Sequence, residues 1–242
     1  MRISRVYAEV PVGGRTQVEL RGTAANHIAR VLRLREGEPL ILFDDMGGEY
    51  AAVVTALARE VVRVSVGEHT AGDRESPLHV TLAQGISRGE RMDVVVQKAT
   101  ELGVKRIVPI LAERTVVRLN EVQAENRLRH WRAIAVAACE QCGRNRLPQI
   151  CPPMTLQQFL VSDLPEGLRL LLKADGRLKV RDLPASHAAT VLIGPEGGLS
   201  PGEQTAAVAA QFQGLSLGPR ILRTETAALA VLAIIQQQLG DL

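Results

Sequence analysis

The 242-residue sequence predicts an α/β protein: a small β-barrel, then a larger domain built on a mostly parallel sheet. Three observations predict it. Short Val- and Leu-rich runs crowd the first seventy residues around one helical pattern. Residues 67–77, GEHTAGDRESP, carry no apolar period and read as a linker. After Pro77, apolar strands alternate with helical periods, the pattern of a sheet covered by helices. The domains expected are residues 1–70 and 77–242.

The elements follow in order. RISRVYAEV and QVEL read as strands. Thr23 is positioned to cap a helix through Leu34, with Ile28, Val31 and Leu32 on its apolar side and Gly37 as its stop. PLILF, EYAAVVTAL and EVVRVSV are strands, and Asp44-Asp45-Met46-Gly47-Gly48 is a hairpin turn. Beyond the linker, LHVTLA is a strand. Ser87 and Glu90 form a capping box for a helix that places Met92, Val95, Ala99 and Leu102 on one face, and Gly103 ends it. KRIVPIL is the next strand. A helix over about 126–141 aligns Leu128, Trp131, Ala135 and Ala138, and Gly143 and Pro148 end it. A short helix after Thr155, strands LRLLLK and ATVLIG, a helix after Ser200, a strand near 215–217 and a helix over 225–239 complete the chain.

Composition narrows the function. Hydrophobic residues make up 46% and charged residues 23%, which excludes a disordered or collagen-like chain. Three cysteines cannot frame a disulfide scaffold. The start, MRISRVYAEV, lacks a signal peptide's apolar core, and the longest apolar run, AALAVLAII, falls short of the roughly 20 residues of a membrane span. A cytoplasmic protein with no membrane contact is expected. Net charge is +3, unevenly spread: residues 1–35 hold seven Arg against two Glu. A basic opening segment suits a polyanion such as RNA, although a merely solvated surface has the same composition.

Two loops stand out. Ile193-Gly194-Pro195-Glu196-Gly197-Gly198 leaves a strand and enters a helix that Ser200 caps, with Pro201 first and Glu203 closing a capping box. Leu217-Gly218-Pro219-Arg220-Ile221-Leu222-Arg223-Thr224-Glu225 joins the next strand to the last helix. Glycines at strand C-terminal ends let a ligand approach the backbone, and open α/β sheets bind ligands there. Neither loop is a phosphate fingerprint. Gly214-Leu215-Ser216-Leu217-Gly218 mimics a hydrolase elbow, but no His follows it. Cys139 and Cys142 form a C-x-x-C at a helix C-terminus, where a thiol is not activated. The histidines are scattered, and no metal site is expected.

Four segments together resemble one family: RMDVVVQKATELGV at 91–104, ACEQCGR at 138–144, IGPEGG at 193–198 and LGPRILRTETA at 217–227. NHIARVLR at 26–33 fits as well. They resemble the SPOUT RNA methyltransferases, specifically the group that methylates N3 of one uridine in 16S ribosomal RNA. The resemblance implies a PUA-like β-barrel ahead of a SPOUT α/β domain with a trefoil knot. It implies a homodimer acting on 16S ribosomal RNA or the small ribosomal subunit. It also implies S-adenosyl-L-methionine as methyl donor, leaving as S-adenosyl-L-homocysteine.

Carried onto this sequence, the cofactor would meet Leu172, then Gly194, Pro195, Glu196, Gly197 and Gly198. On the second loop it would meet Leu217, Gly218, Ile221, Leu222, Arg223, Thr224, Thr226 and Ala227. Uridine N3 needs a base or a cation to become nucleophilic. Arg223 or Glu225 would handle the substrate, and Glu196 would organise loop or substrate. Glu225 as a plain first-turn acid, and Arg223 as a phosphate contact, stay open. RNA contacts are expected from Arg5, Arg15, His27, Arg30, Arg33, Arg88, Arg114 and Arg144. The polar group Glu140, Gln141, Arg144 and Asn145 is expected near the active site. A SPOUT enzyme with another target atom, such as a ribose 2′-hydroxyl, and a non-enzymatic RNA-binding factor are the competing readings.

Overall fold

The barrel-like unit begins with strands β1 (Ser4–Tyr7) and β2 (Gln17–Arg21), then helix α1 (Gly22–Asn26), then β3 (Pro39–Phe43), β4 (Glu49–Leu57) and β5 (Val61–Thr70). A computed structural model describes residues 3–117 and 119–242. The strands form one sheet in the order β1-β3-β4-β5-β2, parallel between β1 and β3 and antiparallel elsewhere. Inward residues alternate with exposed ones: on β2, Val18 and Leu20 are buried between Gln17, Glu19 and Arg21. One apolar cluster draws Val6, Leu20, Leu42, Val54 and Val64 from all five strands, so the sheet curls round a single core. Each such side chain stabilises the fold by roughly 1.5–3 kcal/mol. The β3–β4 turn places Asp45, Gly47 and Gly48 at positive φ, as its Asp-Gly composition requires.

Three expectations fail here. Thr23 caps nothing: Arg21 holds the N-cap position of α1 without a side-chain bond. From His27 to Leu32 the helix widens into a π-helix, and Arg33 at φ 55° ends it before Gly37 is reached. The wider turn keeps Ile28 buried but leaves Val31 68% exposed. The expected linker also begins inside a strand. Gly67–Thr70 belong to β5, because His69 and Thr70 pair with Tyr50 and Glu49 of β4.

The chain divides into two compact units, Met1–Glu75 with Val136–Leu147, and Ser76–Ala135 with Pro148–Leu242. Residues 136–147, far along the chain, thus group with the first unit. There Cys139 joins Tyr7 and Phe43 in a small apolar cluster.

The second unit contains β6 (His79–Gly85), α2 (Arg91–Glu101), β7 (Arg106–Leu111), most of α3 (Glu121–Cys142), β8 (Gln149–Ile150), β9 (Met154–Thr155) and α4 (Leu156–Leu160). It continues with β10 (Leu168–Leu172), β11 (Leu178–Lys179), β12 (Ala188–Ile193), α5 (Pro201–Ala209), β13 (Gln213–Ser216) and α6 (Thr224–Leu239). The sheet order is β11-β13-β10-β12-β6-β7-β8, with β9 also on β7, and every pair is parallel. Successive residues face opposite sides. Leu82, Val191 and Leu170 pack with Met92, Val96, Trp131, Val231 and Ile235 of α2, α3 and α6. Ala83, Leu192 and Leu171 pack with Leu156, Phe159, Ala207 and Phe212 on the α4 and α5 side. A sheet buried on both faces explains why its strands read as unbroken apolar runs.

Local signals held where a cap was unambiguous. Ser200 and Glu203 form the capping box of α5, with Pro201 first, and Thr155 and Gln158 form another at α4. Ser87 does not cap α2: its Oγ donates to the Gly85 carbonyl, and Glu90 takes the N-cap position without a side-chain bond. Helix α3 also starts earlier than its apolar period, at Glu121.

Candidate active site

Strands β13, β10 and β12 are neighbours, so the loops leaving their C-terminal ends lie side by side. Together they enclose a cleft of about 670 Å³. Both glycine loops line it. Every residue of the expected cofactor set lines it except Gly197 and Thr226. A third wall was missed: Lys173 and Ala174, at the end of β10, with Gln204 of α5, whose side-chain oxygen accepts from Lys173 Nζ at 3.2 Å. The signal was present in the sequence, since Lys173-Ala174-Asp175-Gly176 is again a strand running into a glycine. A Cβ on Gly176 would stand 2.6 Å from the Gly214 carbonyl oxygen.

The loops are locked from beneath. The Gln84 side-chain amide donates to Thr224 Oγ1 at 2.8 Å, and that hydroxyl donates to the Gly194 carbonyl at 2.9 Å. Gly85 gives the first loop its room: a Cβ there would come within 2.3 Å of Pro195 N. Gly198, at φ 67°, turns the loop back through its N–H to the Pro195 carbonyl at 2.8 Å. Arg114 Nη1 donates to the Gly197 carbonyl at 3.1 Å, so this arginine secures the loop as well as lining the cleft.

Glu196, Arg223 and Glu225 all line the cleft. Glu196 Oε1 accepts from the Arg88 N–H at 3.0 Å and from Arg91 Nη1 at 2.7 Å. Burial pushes its carboxyl up, but the Arg88 N–H, its own N–H and Arg91 together hold it below its ordinary value. Arg91 Nε also lies 3.9 Å from Glu225 Oε1. Glu225 Oε2 is buried and accepts no hydrogen bond. Arg223 is exposed at the N-cap of α6.

The arginines expected to bind RNA separate into two groups. Arg15, Arg30, Arg33 and Arg88 are exposed, and His27 is half-buried with Nε2 3.6 Å from Glu140 Oε2. Arg5 and Arg144 are a correction: both are buried and engaged within the first unit. Arg5 pairs with Glu49, donates to Asn145 Oδ1 at 2.6 Å and lies over the Phe43 ring. Arg144 is paired with Glu75. A guanidinium already desolvated by a carboxylate has no face left for a phosphate. Glu140, likewise, accepts from the Tyr7 N–H at 3.1 Å, and neither it nor Gln141, Arg144 or Asn145 lines the cleft.

The decoys resolve as structure. Ser216 is buried, and its hydroxyl donates to the Ala174 carbonyl at 3.1 Å. The cysteines are free thiols, and burial pushes Cys139 up to about 12. Among the described residues no group of three His, Cys, Asp or Glu could hold a metal ion, and no helix is long and apolar enough to cross a membrane.

Residues 74–236 match the family model of the RNA methyltransferase domain, and residues 20–67 match that of the RNA methyltransferase PUA domain. Ribosomal RNA small subunit methyltransferase E of Bacillus subtilis is 32% identical over 228 residues, covering 90% of this chain and 89% of its own. The protein of the same name from Synechocystis is 34% identical, covering 90% of this chain and 72% of its own. A Legionella pneumophila methyltransferase solved with bound SAM superposes with a TM-score of 0.96 at 39% identity, covering all of both chains. The Neisseria gonorrhoeae ribosomal RNA small subunit methyltransferase E, bound to S-adenosyl methionine, gives 0.91 at 37%, covering 99% of each.

Proposed function

The chain belongs to the RNA methyltransferase family, and from that premise we propose that it methylates N3 of a specific uridine in 16S ribosomal RNA, using S-adenosylmethionine. The observation that carries the reading is the cleft at the ends of β10, β12 and β13, built from both glycine loops. Relatives of similar sequence over nearly the whole chain, two of them solved with this cofactor, support it.

The cleft fits such a group. Its size is that of a small-molecule site. Leu172, Ile193, Leu217 and Leu222 offer an apolar bed for an adenine, and loop backbone offers polar groups beside it. Glu196 and Glu225 suit a nearby cation, and no lysine-bearing phosphate loop is required. When bound, S-adenosylmethionine supplies a methyl group on a cationic sulfur and leaves as S-adenosylhomocysteine.

The protein's own part is positioning and proton handling. Uridine N3 gives up its proton to a carboxylate, for which Glu225 lines the cleft. The freed lone pair forms the N–C bond as the methyl's bond to sulfur breaks, its electron pair staying on sulfur. Arg223 offsets the negative charge that develops on the base. Glu196, held by Arg88 and Arg91, keeps the first loop in place. Arg15, Arg30 and Arg33, with His27, hold the RNA backbone, and a PUA-type unit serves that role. The reading includes a cytoplasmic homodimer with the cleft near the subunit interface, and light scattering at a mass near twice 26.2 kDa would support the dimer.

The test is methyl transfer from labelled S-adenosylmethionine to small subunits from cells lacking this gene, and to their naked RNA. Label recovered as 3-methyluridine is expected. Cofactor binding with no label on either substrate would overturn the uridine assignment.

A further inference from the structure

Beside the cleft, where α2 and α6 begin, an open hollow is lined by Arg88, Gly89, Glu90, Arg91, Val94 and Glu225. Arg91 and Glu225 line both spaces, so the hollow and the cleft communicate through this pair. Its chemistry is specific. Among the described residues the Glu225 carboxylate is short of donors: the buried Oε2 has none, and Oε1 meets Arg91 alone, at 3.9 Å. Among the described residues Arg91 forms one hydrogen bond, through Nη1 to Glu196, which leaves further donors on the same guanidinium. The Arg88 backbone is tied to Glu196, while its exposed side chain stays available. Val94 is 40% exposed and gives the hollow an apolar wall. Glu90, also exposed, is the remaining charged group.

Resting on the methyltransferase reading above, we propose that this hollow seats the target base and distinguishes uracil from cytosine. The pairing edge of uracil runs acceptor, donor, acceptor: O4, N3–H, O2. A carboxylate between two guanidinium groups is its complement. Glu225 accepts from N3–H, Arg91 and Arg88 donate to the carbonyls, and Val94 packs on the ring face. Cytosine turns an N3 lone pair toward the carboxylate and an amino group toward a guanidinium, and both contacts repel. Arg91 has a second duty as a positioning residue. By occupying Glu196 it leaves Glu225 as the carboxylate that meets the base.

The experiment compares two short RNAs, one carrying the target uridine and one with cytidine in its place. Binding is followed by fluorescence anisotropy at fixed salt without cofactor, so the readout is independent of turnover. Wild type is expected to prefer uridine by about tenfold or more, since a site built to bond an N–H rejects the analogue lacking it. Glu225→Gln, whose amide can face either base, and Arg91→Ala should each collapse the ratio toward one. Arg88→Ala, at an exposed side chain, should lower it too and guards against a variant that fails to fold. A ratio near one in wild type, or an unchanged ratio in the folded variants, overturns the proposal. Recovery of 3-methyluridine from wild type beside that result would sink the base hollow alone. Its absence would sink the parent reading.

Discussion

Arg144 grips Glu75 in a two-pronged buried ion pair: Nε donates to Oε1 at 2.8 Å and Nη2 to Oε2 at 2.7 Å. The side chains are 4% and 10% exposed. The pair ties the segment after α3 to the end of the first unit's chain, and Arg5 joins in by donating to the Arg144 carbonyl at 3.1 Å. Removing one member strands the other. Arg144→Ala should therefore cost about 3–5 kcal/mol in a denaturant titration. A loss under about 1 kcal/mol would show that the pair is solvated.

Exposed arginines should behave in the opposite way. Arg30→Ala and Arg33→Ala are expected to leave the unfolding midpoint nearly unchanged. Each should weaken RNA binding and reduce the salt slope of its affinity by about 1. Equal slopes for variant and wild type would remove these residues from the RNA surface.

Thr224 joins Gln84 to Gly194, and so holds one glycine loop against the other. Thr224→Val keeps the shape but strands one N–H of the buried Gln84 amide, whose other bond is to the Gly85 carbonyl at 3.2 Å, at a cost of about 1–3 kcal/mol. Calorimetry should show weaker S-adenosylmethionine binding, and Thr224→Ser should restore it. Unchanged binding in the valine variant would show that the hydroxyl is dispensable, and failure of the serine variant to rescue would show that the methyl is needed as well.

At Gly85 the constraint is space. An alanine methyl would meet Pro195 N at 2.3 Å and the Gly194 carbonyl carbon at 2.6 Å, both backbone. Gly85→Ala should destabilise the protein by about 1–3 kcal/mol. It should also cut cofactor affinity at least tenfold. Unaltered binding would show that the loop shifts freely.

Glu140 gives the first unit a pH signature. Burial pushes its carboxyl up, and the Tyr7 N–H and the charges of His27 and Arg5 pull it back only in part, so it titrates above its ordinary 4.5. The folded state holds this proton more tightly than the unfolded chain does. Stability should fall as pH rises from the ordinary value through the raised one. Glu140→Gln, permanently neutral, should flatten that slope in thermal melts between about pH 4 and 8. Parallel profiles would discount Glu140 as the source.

The sequence showed the strands and the helices with clear caps, because those signals are local. Ser200 with Glu203, the apolar run of β12 and the glycines at 194, 197 and 198 each depend on neighbours a few residues away. Local signals misled where two partners competed for one group. Ser87 has the spacing of a cap, but the nearby Gly85 carbonyl takes its hydroxyl. Arg5 and Arg144 have the charge of phosphate contacts, but carboxylates distant along the chain claim them.

By itself, then, the sequence determined a β unit with an arginine-rich opening segment, a parallel α/β unit and two glycine loops at strand ends. Its motif order also carried the family resemblance. Tertiary structure decided which strand ends are neighbours. The order β13-β10-β12 adds the Lys173 loop as a third wall and sets Gln84 beneath Thr224. It also placed Arg91, from the start of α2, between Glu196 and Glu225. Periodicity reports which face of a strand is buried, but pairing between distant strands depends on backbone hydrogen bonds that every residue offers alike. Only packing selects among them, and packing brings together the groups whose chemistry the site uses.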